Sequence, residues 1–190
     1  MSEVIFMGLE SKDLNLILDR INQWIFNCDN KSLILVTIIG IFAGIFVTSY
    51  VRKLLTIYSY ICSHPTAINL GYFILHIFSI ILILVGIWHI IQSIIARTEP
   101  PSEKGLINNS LIYYGTISNY AYEEYEKEIV NIDEESLKKE IISQIYINSK
   151  ICTKKFENYN KGLKYSIWGF SLFAVSIIIG YVLCKILWGI

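Results

Sequence analysis

The sequence predicts an all-α membrane protein that has three transmembrane helices and a small helical cytoplasmic region. Its 190 residues are 54% hydrophobic and only 17% charged, which lies outside the range of ordinary soluble domains. Several apolar runs approach or exceed the roughly 20 residues that a helix needs to cross a bilayer. We divide the chain into four parts. An N-terminal amphipathic cytoplasmic helix (1–32) is followed by a two-span transmembrane hairpin (33–96). A helical cytoplasmic sensing region (97–164) then leads to a third transmembrane helix with a tail (165–190).

The segment 134–188 organises the chain, because its pattern predicts one nearly unbroken helix that starts in water and ends in lipid. In its first half, mostly apolar residues recur at spacings of three and four and line one face. Its second half carries a single charge, Lys185, and is long enough to cross a hydrocarbon core. At about 100° per residue, four lysines lie within an arc of roughly 80° on the opposite face: Lys150, Lys154, Lys161 and Lys164.

The N-terminal part of the chain predicts a short amphipathic helix over 11–28, which lies on the membrane surface or against the helix at 134–188. The next four residues, 29–32, predict the water boundary before the first span. Aspartate, asparagine and serine are typical of helix caps, and lysine is typical of membrane anchors. We therefore expect the first span over 33–51.

Small residues in the spans predict close helix packing, because apolar side chains gain little by leaving lipid for another helix. Gly40 and Gly44 form a GxxxG pattern in the first span, and Ser176 and Gly180 have the same spacing in the third. The glycine pair fits a contact within the chain or a contact between two copies. Three spans in one chain favour the contact within the chain.

A turn is predicted over 52–66, since Pro65 ends any helix that reaches it. The second span is predicted over 67–95. This stretch is longer than a bilayer requires, so the helix must tilt or protrude. His76 is the one ionisable side chain that we expect inside lipid, where such groups are candidates for function. A position close to the interface is the favoured interpretation of this histidine.

The polar region predicts a loop, a tyrosine-rich helix over 111–130, and a turn from Asn131 to Asp133 before the long helix begins. The region is too small to form an independent core of much size. We therefore expect it to be stabilised by assembly of the chain into a homo-oligomer.

Lysine and arginine counts predict the orientation of the spans. The segment before the first span has three, the 52–66 turn has two, and 97–164 has ten. Because cytoplasmic segments carry the excess of basic residues, the N-terminus and the polar region should face the cytoplasm. The protein should therefore be a multi-pass protein of the cell membrane with a cytoplasmic N-terminus.

Composition and motifs exclude several classes of function. Net charge is zero, so the chain does not resemble a general DNA- or RNA-binding protein. The four cysteines are scattered and lack CxxC spacing, which predicts reduced thiols, no disulfide framework and no metal site. No nucleophile–base set, phosphate-binding loop or zinc motif is present, so we expect neither an enzyme nor a bound cofactor.

The lysines of 150–164 are the strongest candidates for ligand contacts. Their ammonium groups could bind a phosphate, and Tyr113, Tyr114 or Tyr120 could provide a face on which a base stacks. Two structural alternatives stay open. The lysines could anchor the helix to anionic lipid, and the tyrosines could simply pack between helices.

The order of these parts resembles the transmembrane effector family of Pycsar, a bacterial anti-phage system that uses a pyrimidine cyclase. The resemblance covers an acid and a lysine before the first span (DNKSLILVTIIGIFAGIFVTS), a two-span hairpin, and an aromatic helix that ends in tyrosine and glutamate (LIYYGTISNYAYEEYEKEI). Its most specific part is QIYINSKICTKKF, which resembles the family's Q-I-x-x-x-S-x-I-x-x-x-K pattern and contains Gln144, Ser149, Lys150, Lys154 and Lys155. SLATT-type effectors of cyclic-oligonucleotide defence share the general plan.

The resemblance implies an effector that binds a cyclic mononucleotide, cUMP or cCMP, in the cytoplasm and damages the inner membrane, so that infection is abortive. It implies that the ligand contacts Lys150, Lys154, Lys155 and Gln144, with Tyr113 and Tyr114 as stacking partners, and that membrane lipid and further copies of the chain are partners. Two other classes stay open: a constitutive small channel or transporter subunit, and a membrane anchor for a partner protein.

Overall fold

A computed structural model describes residues 9–95, 107 and 109–185, and these residues form helices and connecting turns without any strand. The all-α prediction is therefore confirmed. Three of the helices, α1, α2 and α5, are long and apolar enough to cross a membrane, as predicted. In chain order the helices are α1 Ser11–Ser63, α2 Ala67–Ile94, α3 Tyr114–Ile117, α4 Tyr122–Val130 and α5 Glu134–Leu183.

Helix α5 confirms the predicted continuity between the polar region and the third span. Its start is fixed by Asp133, whose carboxylate accepts hydrogen bonds from the Ser136 backbone N–H at 2.8 Å and from the Ser136 hydroxyl at 2.9 Å. These bonds hold the pKa of the Asp133 carboxyl below its usual value. The predicted end of the helix, at 186–188, lies outside the described residues.

Helix α1 differs from the prediction, because the surface helix, the boundary and the first span form one helix that continues to Ser63. The predicted turn over 52–66 is wrong for its first twelve residues. No glycine or proline occurs between Gly44 and Pro65 to end the helix earlier. The true turn is only 64–66, where the Thr66 hydroxyl accepts from the Asn69 N–H at 3.3 Å and caps α2.

The tyrosine-rich helix predicted over 111–130 is also wrong as one element, because it divides into α3 and α4. Side chains just after α3 compete for backbone carbonyls. The Ser118 hydroxyl and the Asn119 amide both donate to the Gly115 carbonyl, at 3.0 and 3.2 Å. Such local bonds favour turns over continued helix.

The chain forms two compact units. The described part of the first, here called the polar unit, comprises 9–27, 107 and 109–154. The described part of the second, here called the span unit, comprises 28–95 and 155–185. Helix α5 supplies 134–154 to the polar unit and 155–183 to the span unit.

In the span unit, α2 and α5 approach closely at glycines. A Cβ atom at Gly162 would lie 2.9 Å from the Gly86 carbonyl oxygen, and one at Gly180 would lie 2.7 Å from the Tyr72 hydroxyl oxygen. Helix α1 packs against α5 through aromatic rings, with Phe46 edge-on to Phe173 at a centroid distance of 4.6 Å. Helices α2 and α5 thus pack by the small-residue rule of membrane proteins, whereas α1 packs against α5 through aromatic rings.

Candidate functional site

The polar unit is organised by a buried carboxylate on α5. Glu140 is 5% exposed, and one of its oxygens accepts from the Ser110 hydroxyl at 2.5 Å and from the Leu111 N–H at 3.0 Å. A buried carboxylate is tolerated when such donors satisfy it. The residues before α3 are therefore fixed against α5 at this point.

Residues on both sides of Ser110 and Leu111 in the sequence make further hydrogen bonds that hold this segment. The Ile107 N–H donates to the Ser143 hydroxyl at 3.2 Å, one turn along α5 from Glu140. The Tyr125 hydroxyl of α4 donates to the Leu111 carbonyl at 3.0 Å. Together these bonds hold a segment that contains no long helix of its own.

An exposed aromatic and two exposed lysines lie along another side of α5. Tyr146, Lys150 and Lys154 follow one another at intervals of one turn, and we call them the lysine face. The Lys150 ammonium lies 5.1 Å from the centroid of the Tyr146 ring, within the range of a cation–π contact. This face offers two cations about 6 Å apart along the helix and one aromatic surface.

Tyr113 and Tyr114 lie at a different level of α5. Their rings are 4.8 Å apart, and Tyr114 is 67% exposed, whereas burial and its neighbour Tyr114 raise the pKa of the Tyr113 hydroxyl. The segment that carries them is attached at Glu140, ten residues before Lys150. Ten residues of helix correspond to about 15 Å. The tyrosines therefore belong to a segment that is attached to α5 before the lysine face begins.

Two other predicted ligand residues are not on the lysine face. Gln144 is 6% exposed and lies inside the polar unit. Lys155 is 3% exposed and belongs to the span unit, where its ammonium group contacts three partners. These contacts occupy Lys155, so it is not part of the lysine face.

Lys155 joins the three long helices of the span unit. Its ammonium donates to the Asp29 carboxylate of α1 at 2.6 Å and to the carbonyls of Ser93 and Ile94, at the end of α2, at 2.8 and 3.4 Å. A cation at a helix C-terminus satisfies carbonyls that have no partner within the helix. We call this group the lysine clasp.

A pair of serines reinforces the clasp. The hydroxyls of Ser32 in α1 and Ser93 in α2 are 2.7 Å apart and are both fully buried. Ser32 also donates to the Cys28 carbonyl at 2.9 Å. The 29–32 sequence was predicted as a cap and anchor, but it lies within α1 and its polar side chains contact the other helices.

A second buried polar contact lies deeper in the span unit. His76 is fully buried, and its Nδ1 lies 2.8 Å from the Ser176 hydroxyl oxygen of α5. The rings of Tyr58, Tyr72 and Phe173 lie at centroid distances of 5.9, 6.0 and 5.1 Å from its imidazole. The imidazole is thus enclosed by all three long helices, and its position close to the interface stays a prediction.

The predicted packing residues divide into two groups. Ser176 and Gly180 both contact α2 within the chain. At Gly40 and Gly44 a Cβ atom would meet nothing within 4 Å, so no helix among the described residues packs against this GxxxG pair. The favoured contact within the chain is wrong for the glycine pair, and packing between two copies stays a prediction.

Two features of the site were missed from the sequence. Tyr146 stands four residues before Lys150, and that spacing alone would have placed its ring on the same face. Asp29 is 126 residues from Lys155, so no local pattern could have paired them. Within the described residues, no group of three His, Cys, Asp or Glu side chains is placed to hold a metal ion.

Comparison with known proteins connects this structure to one family. The model of the Pycsar effector protein domain, PycTM, matches residues 13–182. The Pycsar effector protein GmPycTM from Gulbenkiania mobilis is 30% identical over 161 residues, which cover 79% of this chain and 82% of that relative. No solved structure matches the chain.

Proposed function

The chain belongs to the Pycsar effector family of anti-phage defence proteins, and from that premise we propose that it binds cUMP or cCMP and then impairs the inner membrane. Three apolar helices make it a multi-pass membrane protein. Two exposed lysines one turn apart, on the helix that continues into the third span, carry the proposal of a nucleotide site. Loss of membrane integrity would end phage replication by stopping the host.

The chemistry of the ligand fits the lysine face. A cyclic phosphate carries one negative charge, and Lys150 and Lys154 would bind its oxygens by charge-assisted hydrogen bonds. The pyrimidine would stack on an aromatic ring, for which Tyr146 is the nearest candidate on the same face. Binding would require the Lys150 ammonium to move from the Tyr146 ring to the phosphate.

We propose that Tyr113 and Tyr114 take part from a neighbouring copy of the chain. Within one chain, the segment that carries them is attached to α5 at Glu140, about 15 Å along the helix from Lys150. A ligand that bound the lysine face of one copy and a tyrosine of another would join the two copies. Homo-oligomerisation would then depend on the nucleotide.

Helix α5 provides a route from ligand to membrane, because it supplies residues to both units. If nucleotide binding selects a different position of α5, the clasp and the glycine contacts of the span unit must rearrange with it. A shift from about 1% to about 99% of the active state needs roughly 10⁴-fold tighter binding to that state.

A constitutive channel or transporter subunit is less well supported. Such a protein would be expected to place an ionisable side chain along an aqueous path. His76, the ionisable side chain that the sequence predicts inside lipid, is enclosed by packed rings, and its Nδ1 lies within hydrogen-bond distance of the Ser176 hydroxyl. Nucleotide binding distinguishes an effector from a membrane anchor, because an anchor for a partner protein would not need to bind a nucleotide.

Equilibrium binding of cUMP and cCMP to the full chain in a non-ionic detergent tests the site. The substitution pair Lys150→Glu and Lys154→Glu should weaken binding of the cognate nucleotide by at least about 100-fold, because each lysine contributes a charge-assisted bond worth about 1.5–3 kcal/mol. The matched control is Lys161→Glu with Lys164→Glu, which makes the same charge change at exposed positions of the same helix.

The control pair should bind nucleotide as the unmodified chain does. Equal weakening in both pairs would show that only the general charge of α5 matters. Unchanged affinity after substitution of Lys150 and Lys154 would place the nucleotide elsewhere. Absence of binding to either nucleotide would favour the anchor.

A further inference from the structure

A crevice of about 590 Å³ lies in the span unit, between the later parts of α1 and α5. Phe46 and Ile57 line it from α1, Ile177 and Ile178 from α5, and Tyr72 from α2. Its volume is typical of sites that bind small organic molecules. Ile178 is 65% exposed, so the crevice is open on the side of the helices where lipid would lie.

Two lysines stand at this mainly apolar crevice. Lys53 of α1 and Lys185 just after α5 both line it and are both exposed. The Lys185 ammonium lies 5.0 Å from the centroid of the Tyr181 ring, which also lines the crevice. The crevice therefore combines an apolar wall with two cations.

The chain offers these cations no acidic side chain nearby in sequence. No aspartate or glutamate occurs in 30–98 or in 158–190, which include all three apolar stretches. The carboxylates that border these stretches, Asp29 and Glu157, are more than twenty residues along their helices from Lys53 and Lys185. At 1.5 Å per residue this separation exceeds about 30 Å.

Both lysines also follow apolar stretches in the sequence. Lys53 closely follows the apolar stretch 33–51, and Lys185 follows the apolar stretch 165–184. Such lysines place their ammonium groups at the level of the headgroups while their stems stay among apolar atoms. Basic pockets between transmembrane helices are a known form of site for anionic lipid.

We propose that this crevice binds one anionic phospholipid, with an acyl chain along Phe46, Ile57 and Ile177 and the phosphate between Lys53 and Lys185. The lipid fills a gap between α1 and α5 and supplies a negative charge that no acidic side chain of the described residues 30–95 and 158–185 provides. This site is independent of the nucleotide site, because it uses none of the residues of the lysine face.

Native mass spectrometry of the full chain, released from detergent with added phosphatidylglycerol or phosphatidylcholine, tests the proposal. The chain should retain one phosphatidylglycerol in preference to phosphatidylcholine. Lys53→Gln with Lys185→Gln should lower the apparent affinity for phosphatidylglycerol about 30-fold and remove the preference. The matched control is Arg52→Gln, an exposed cation beside Lys53 that does not line the crevice, and it should leave the preference unchanged.

A second variant tests the apolar part without changing charge. Ile178→Trp adds a ring at an exposed wall position and should lower retention of phosphatidylglycerol while both lysines remain. Glycerol 3-phosphate and inorganic phosphate, which lack acyl chains, should not compete. Competition by either would overturn the lipid assignment in favour of a simple anion site.

Equal retention of the two lipids, or an equal effect of Arg52→Gln and the lysine pair, would also overturn the proposal. A lipid-independent change in oligomer size on Ile178→Trp, with no loss of phosphatidylglycerol, would assign the crevice to a second copy of the chain instead.

Discussion

The two units of this protein use polar side chains in opposite ways. In the span unit, polar groups are buried and join helices: Lys155 binds Asp29 and the end of α2, and His76 binds Ser176. In the polar unit, the buried carboxylate of Glu140 attaches Ser110 and Leu111 to α5, and the lysine face remains exposed. Lys150 and Lys155 are only five residues apart in α5, yet Lys150 is exposed and Lys155 is buried.

This difference shows why a lysine-rich helix is not uniformly a binding surface. A lysine with its ammonium fully satisfied by carboxylate and carbonyl oxygens contributes to structure, because releasing it would leave those acceptors unpaired. A lysine on the exposed side can exchange its contacts for a ligand without that loss. Lys155 belongs to the first kind, whereas Lys150 and Lys154 belong to the second.

The largest expected effect is on the clasp. Lys155→Met should lower the free energy of unfolding in detergent by about 3 kcal/mol, at the lower end of the range for breaking a buried ion pair because Asp29 is 30% exposed. Thermal unfolding of the purified chain measures the change. The double variant Lys155→Met with Asp29→Leu should recover a large part of the loss, because no charge is left unpaired.

If the double variant were no more stable than Lys155→Met alone, the Asp29 contact would contribute little. The hydrogen bonds from the Lys155 ammonium to the Ser93 and Ile94 carbonyls, which methionine cannot make, would then explain the loss.

The next effect tests the carboxylate of the polar unit. Glu140→Ala should cost about 1.5–3 kcal/mol, because it leaves the Ser110 hydroxyl and the Leu111 N–H without their charged acceptor. Hydrogen exchange at Leu111 should speed up and limited proteolysis should cut near this residue. Glu134→Ala serves as the control, since its carboxylate is 73% exposed in a surface pair with Lys138.

If the Leu111 N–H exchanged hydrogen equally slowly in Glu140→Ala and Glu134→Ala, the Glu140 carboxylate would not be what holds this segment to α5.

Two glycines of the span unit should differ in how well they tolerate alanine. Gly162→Ala should destabilise the chain by about 1–3 kcal/mol, because the new methyl would lie 2.9 Å from the Gly86 carbonyl oxygen and 2.5 Å from Ile90 Cγ1. Gly40→Ala meets open space and should leave the unfolding temperature of the monomer nearly unchanged. A marked loss of stability from Gly40→Ala would instead reveal a contact with a second copy.

The smallest expected effect is at the deeper polar contact. Ser176→Ala removes the partner of His76 Nδ1 and should cost about 0.6 kcal/mol, the average for hydrogen bonds between membrane helices. Thermal unfolding of matched preparations checks this value. A loss as large as that of Lys155→Met would mean that the histidine, not the clasp, dominates the span unit.

Much of the fold could be predicted because the signals are local. Apolar length predicts the three spans, and the spacing of residues in 134–188 predicts a helix that continues from the polar region into lipid. The turn before α5 follows from Asp133, whose side chain binds the first turn of that helix.

The errors have a common physical origin in contacts between distant residues. Asp29 and Ser32 look like a cap, yet α1 continues through them because Lys155 and Ser93 satisfy their side chains. Gly40 and Gly44 have the packing pattern, but the aromatic rings of Phe42 and Phe46 are what contact α5. Spacing shows which residues share a face and does not show what that face meets.

The most direct test of the central claim is membrane potential in cells that produce this chain with or without co-produced cUMP or cCMP. We expect depolarisation only when the cognate nucleotide is present, and no depolarisation when Lys150→Glu and Lys154→Glu are combined in a chain that still reaches the membrane. Depolarisation without any nucleotide, or an unchanged response in that double variant, would contradict a membrane effector that is controlled through the lysine face.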